Sequence, residues 1–188
     1  LKEQDRLVAG LEVIKDEPCE TTDGHRVKLW VNTGLMSDVM QSLDLGAEGI
    51  GLFRTEVPFL LSERFPSEQE QYQIYREQLQ AFAPKLVTMR TLDVGGDKAL
   101  SYFPIEEANP FLGWRGIRVT LDHPEIFMAQ IRAMLRASEG LNNLQIMLPM
   151  ISNVSEVEKA QELIKKAHRE LTQEGVKVDY PAVGVMIE

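Results

Sequence analysis

The residues best suited to chemistry in this chain are arginines beside glycines. Arg90, Arg115 and Arg118 all lie in MRTLDVGGDKALSYFPIEEANPFLGWRGIR (Met89–Arg118), in a protein whose formal net charge is -9. A guanidinium pairs with phosphate or carboxylate oxygens through two parallel hydrogen bonds, and glycine lets backbone N–H groups approach the same anion. Arg54 follows GIGLF and precedes Thr55-Glu56, offering a further cation of the same kind. Either Arg54 or Arg90 alone would as readily lock a loop through an ion pair. Both on one rim, with GGDK and GWRGIR near them, point to an anion site. Glu188 closes the apolar run AVGVMIE. A carboxylate there suits a hard divalent cation such as Mg2+, which takes one or two carboxylates plus substrate oxygens. Asp93 and Asp97 flank Gly95-Gly96 and offer further metal ligands, but read more readily as loop anchors that accept backbone N–H groups; Lys98 could touch a phosphate, but reads more readily as solvated or ion-paired. His25, His123 and His168 lack the glycine-rich setting of a phosphorylated histidine, and His168, in KKAHRE, reads as facing solvent. Cys19 is far in sequence from the arginines, and no residue of this chain is assigned as a catalytic acid, base or nucleophile.

The elements that must hold these residues alternate between helix and strand. Residues 1–15 carry Leu7, Leu11 and Ile14 at helical spacing, and Pro18 ends the run, so 1–18 reads as a linker helix and 19–188 as one domain. Asp23-Gly24 signals a hairpin turn. Strands are expected at Val27–Asn32, Gly49–Arg54, Lys85–Val94, Leu144–Met150 and Ala182–Glu188. Helices are expected over Ser37–Leu45, closed by Gly46, and over Ser67–Phe82, where Ser67 and Glu70 form a capping box. A third helix is expected to be capped by Asp122 and Glu125 and ended by Gly140, and a fourth to be capped by Asn153 and Glu156. The methionines fall at core positions and read as packing. Strands apolar on both faces, joined by helices, predict a parallel sheet. A doubly wound open sheet and a (β/α)8 barrel both fit. Arg54, Arg90 and Glu188 follow strands, which favours the barrel, whose sites lie at the C-terminal strand ends. Five strands are too few to close it.

Composition bounds the rest. With 188 residues, 44% hydrophobic and 26% charged, the chain has the make-up of a globular domain with a core. No apolar run is long enough for a membrane span, and the charged N-terminus lacks the pattern of a secretory signal. The acidic balance argues against a nucleic-acid surface. A single Cys19 fits a reducing cytoplasm. The absence of an initiator Met suggests a piece of a longer protein.

GAEGIGLFRTE, RTLDVGGDK, NPFLGWRGIR, LPMI and GVMIE, in this order and spacing, resemble the C-terminal domain of the phosphoenolpyruvate (PEP)–protein phosphotransferases, the Enzyme I proteins of the bacterial phosphotransferase system. DGHRVKLWVN fits the same pattern after a linker helix. Phe53 in GLFRTE and Ile187 in MIE lean toward the nitrogen-related paralogue. The resemblance implies a (β/α)8 TIM barrel, here truncated after about five strands, with PEP as substrate and Mg2+ as cofactor. It implies that Arg54 and Arg90 bind the PEP phosphate, that Arg115 lines the substrate site, and that Glu188 is a Mg2+ ligand. The phosphoryl group would pass to a histidine on a separate N-terminal domain and then to a histidine phosphocarrier protein, within a homodimeric parent. The acceptor histidine would lie before residue 1, and a second Mg2+ carboxylate, an Asn and a proton-donating cysteine after residue 188. The chain alone is therefore expected to be inactive, to bind PEP weakly, and to expose apolar sheet edges that self-associate. Two rivals remain: a pyruvate phosphate dikinase or PEP synthase barrel, which the GGDK loop and NPFLGWRGIR disfavour, and a non-catalytic dimerisation or regulatory module.

Overall fold

A computed structural model describes residue 14 and residues 17–34, 37–96 and 98–187. The expected linker helix (1–18) lies almost wholly outside the described residues, as do Asp97 and Glu188. Five strands, β1 (Val31–Thr33), β2 (Ile50–Arg54), β3 (Val87–Arg90), β4 (Leu144–Ile151) and β5 (Ala182–Ile187), form one parallel sheet in the order β1-β2-β3-β4-β5. Helices connect them: α1 (Ser37–Asp44), then α2 (Glu56–Leu60) and α3 (Glu68–Phe82), then α4 (Ile117–Asp122) and α5 (Pro124–Ser138), then α6 (Val154–Gln173). A doubly wound sheet reverses its strand order at a switch point. Here the order follows the chain without reversal, which is the arc of a (β/α) barrel.

The alternation along each strand sorts the two faces. Val87, Met89, Leu144, Ile146 and Leu148 pack outward against Leu79, Phe82, Phe127, Ile131, Ile164 and Leu171 of the helices. Thr88, Arg90, Gln145, Met147 and Met186 fall on the other, inner face, where Thr88 Oγ1 donates to Gln145 Oε1 at 3.0 Å. β5 is the open edge: Val185 and Ile187 are 40% and 77% exposed. Two of the three expected caps form, as capping boxes of Ser67 with Glu70 on α3 and Asn153 with Glu156 on α6. Asp23-Gly24 turns a short hairpin closed by the Glu20–Arg26 bridge, with Gly24 at φ 84°. Among the described residues no helix is long and apolar enough to cross a membrane.

Four expectations need correction. The first strand begins at Val31 rather than Val27, because Leu29 N–H is taken by the Glu48 carboxylate (2.9 Å) and Val27 N–H by Cys19 O (2.8 Å). β3 ends at Arg90 rather than Val94: beyond it, Leu92 N–H bonds the side chain of Gln130 and Val94 O accepts from Gly116 N–H. Asp122 does not cap α5. It ends α4 and accepts from Trp114 Nε1 at 2.6 Å, while Pro124, whose φ suits a first helical position, starts α5. His168 is half-buried: its Nε2 bonds Val178 O (2.9 Å) and its ring meets Tyr180 edge-on.

Candidate functional site

β2 and β3 end at the same level, with Arg54 and Arg90 as direct register partners. Arg54 is exposed and makes no ion pair among the described residues. Arg90 is different. Its side chain is 7% exposed, and one Nη lies 3.7 Å from Met186 Sδ across the inner face on β5. Its guanidinium donates to Glu56 Oε1 at 2.6 Å and lies 3.2 Å from Asp93 Oδ2. Lys98 Nζ reaches the same two carboxylates, at 2.9 and 3.3 Å. Arg115 Nη2 closes the group on Asp93 Oδ1 at 3.1 Å. Three cations, Arg90, Lys98 and Arg115, thus face two carboxylates, Glu56 and Asp93.

That excess is the informative quantity. A buried charge is tolerated only when it is paired, and this cluster keeps one positive charge over. The Nε–H groups of Arg90 and Arg115 also lie buried without a hydrogen-bond partner in the protein. Such spare donors and spare charge are what an anionic ligand would satisfy.

The chain reaches this arrangement through glycine. Gly95 and Lys98 exchange two backbone bonds at 3.1 Å, folding Lys98 back over the strand end. Gly95 sits at φ 120°, and a Cβ there would lie 2.5 Å from Arg115 Cβ, so only glycine lets the two segments touch. Gly116, at φ 56°, donates its N–H to Val94 O and passes beside Asp93 and Met150. Arg118 takes no part. It bonds Leu112 O, Gly113 O and Glu156, and so locks the loop before α4.

Asp93 is not the backbone anchor expected from sequence; both its oxygens face cations. Burial alone would raise its pKa, but the charges of Arg90, Lys98 and Arg115 outweigh burial and hold it below the ordinary carboxylate range. Lys98 is ion-paired, as expected. Glu56 was missed. It follows Arg54 by two residues on the short helix α2, and its 1% exposure is what marks it. A charged residue in so short a stretch carries no periodic signal of burial, so no sequence pattern finds it. Among the described residues no three His, Cys, Asp or Glu side chains gather as a metal cage.

A rim of arginines at the C-terminal ends of parallel strands, backed by a glycine turn, is a candidate anion site on a sheet with the strand order of a (β/α)-barrel domain. The family described as PEP-utilising enzyme, PEP-binding domain, matches residues 8–188, and the chain belongs to it. A Salmonella typhimurium protein named phosphoenolpyruvate-dependent phosphotransferase system is 51% identical over 91% of this chain and 23% of its own length. Proteins named phosphoenolpyruvate-protein phosphotransferase are similar too. That of Mycoplasma capricolum is 46% identical over 100% of this chain and 32% of its own length. That of Bacillus subtilis is 43% identical over 92% and 30%. The chain therefore spans between about a quarter and a third of the length of the curated relatives it matches.

Proposed function

We propose that this chain is the PEP-binding part of a PEP–protein phosphotransferase. The buried excess of cations over carboxylates at the rim carries the reading, because PEP bears a phosphate and a carboxylate. Arg54 and Arg90 would grip the phosphate and Arg115 would border the same site. In phosphoryl transfer the protein mainly positions and neutralises, and fixed cations supply most of the help. The P–O bond to the enol oxygen breaks as a P–N bond forms on a histidine of another domain, and the enolate left behind takes a proton. That histidine would then load a histidine phosphocarrier protein. Arg90 is held by Glu56 and Asp93, so its charge is set before substrate arrives and needs no reorganisation during transfer.

Mg2+ belongs to the same proposal. The described residues form no cage for it, and Mg2+ needs only one or two carboxylates beside substrate oxygens. Glu188, next in sequence after the rim end of β5, is the residue we assign to it. When bound, the ion would neutralise phosphate and carboxylate oxygens of PEP. We further assign the protein to the nitrogen-related branch, on Phe53 and Ile187. A cytoplasmic homodimer completes the reading.

The test is PEP-dependent labelling of the full-length protein. Arg90→Ala is expected to slow phosphorylation by about 10²–10³. Labelling at the wild-type rate in Arg54→Ala, Arg90→Ala and Arg115→Ala alike would remove the proposal.

A further inference from the structure

The backbone that carries Arg90 is held from outside the sheet by one side chain. Gln130, on α5, is fully buried, and both its oxygen and its nitrogen are hydrogen-bonded. Its Oε1 accepts from Leu92 N–H at 2.8 Å. Its Nε2 donates to Thr55 Oγ1 at 3.2 Å and to Tyr75 OH at 3.1 Å. Thr55 Oγ1 in turn donates to Arg90 O at 2.6 Å. Tyr75 OH in turn donates a hydrogen bond to Gln71 Oε1, and Gln71 Nε2 donates to Pro66 O. The amide can face only one way, because Leu92 N–H is a donor and needs the oxygen.

The location gives the network its meaning. Thr91 N–H makes the last ladder bond of this strand, to Met147 O at 3.0 Å. The next N–H, that of Leu92, points by the strand's alternation away from β4 to the β2 side, where β2 has already ended at Arg54, and Gln130 supplies the acceptor that no strand offers there. It fixes the residue after Thr91 directly and the carbonyl of Arg90 through Thr55. Between these two bonds lies the segment that aims Arg90 and starts the turn to Asp93. A core position on α5 that served packing alone would be filled better by an apolar side chain of the same volume.

We propose that Gln130 is a positioning residue for the anion site, acting through Thr55 and Leu92 on Arg90 without touching the ligand. The proposal rests on the PEP-binding reading, and its test separates the two.

In the full-length protein with Mg2+, PEP affinity would be measured for Gln130→Met, Thr55→Val and the double variant. Asn143→Leu is the control. It removes another buried amide, bonded to Leu79 O and Lys85 O where β4 begins, at the far end of the sheet. Gln130→Met and Thr55→Val should each weaken PEP binding about tenfold through misplacement of the arginine. The double variant should be no worse than the poorer single, because both act on one path. Asn143→Leu should lower Tm while leaving PEP affinity within about twofold. Unchanged affinity in Gln130→Met, or fully additive losses, would overturn the assignment. A wild-type protein that does not bind PEP would overturn the functional reading instead. Gln130 is then judged by amide exchange of residues 91–94: faster exchange in Gln130→Met than in Asn143→Leu upholds the positioning of this backbone, and equal exchange rejects it.

Discussion

At the scale of the residue, the rim is an unequal bargain of charges. Glu56, whose side chain is 2% exposed, pairs with Arg90 and Lys98 through one oxygen. Removing it leaves three cations around Asp93 alone, so Glu56→Ala should destabilise the fold by about 3–5 kcal/mol. Urea unfolding measures this, and a loss below about 1 kcal/mol would mean the pairs contribute nothing net. Asp93 sets a pH dependence whose sign follows from its lowered pKa. Its contribution is fully present above the unfolded value of about 3.9 and is lost as pH falls from there through the lower folded value. Exposed Glu70, pulled down to about 2 first by Arg64 and then by Ser67, adds a loss of the same sign between its ordinary range and about pH 2. Thermal melts from pH 6 to 3 should therefore show a steeper decline in the wild type than in Asp93→Asn. Parallel curves would show that Asp93 does not feel the cluster.

At the scale of the element, the loop between β3 and α4 depends on glycines and the helices depend on caps. Gly95→Ala forces a Cβ to 2.5 Å from Arg115 Cβ at a φ that alanine rarely adopts, so the turn must open. The expected result is a loss of PEP affinity together with Tm, since Lys98 and Arg115 are both placed by this turn. Asn153→Ala should cost about 1 kcal/mol and change PEP affinity less than Gly95→Ala, because neither Asn153 nor its box partner Glu156 touches the Arg90, Lys98 and Arg115 cluster. Calorimetric melts with and without PEP distinguish the two. A Gly95→Ala protein with wild-type affinity would show that the turn does not set the site. Arg132 ties Glu68, Glu170 and Glu174, and with them α3, α5 and the end of α6, behind the sheet.

At the scale of the whole molecule, the sheet is an arc with β5 at its edge. Val185 and Ile187 project from that edge without cover among the described residues. An uncovered apolar edge strand pairs readily with another chain. The 188-residue chain should therefore show concentration-dependent association in sedimentation, reduced by Ile187→Lys. A monomer at high concentration would contradict this.

Much of the fold could be read directly from residue order. The two capping boxes, the Gly46 and Gly140 stops and the parallel strands follow from local rules, because a helix or strand end is decided by its own few residues. Arg54, Arg90 and Arg115 stood out by type and by their glycine neighbours. Three things needed the tertiary structure. Sequential strand order separated the barrel from the doubly wound sheet, which strand and helix content alone leaves open. The burial of Glu56 and the turning of Asp93 toward cations depend on segments as far apart as Glu56 and Lys98, or Asp93 and Arg115. Gln130 looked like one polar residue on an amphipathic helix, and only the end of the β3 ladder beneath it gave it a purpose. Local propensity acts over a turn or two of chain, whereas charge balance and unmet backbone bonds are properties of what the fold brings together.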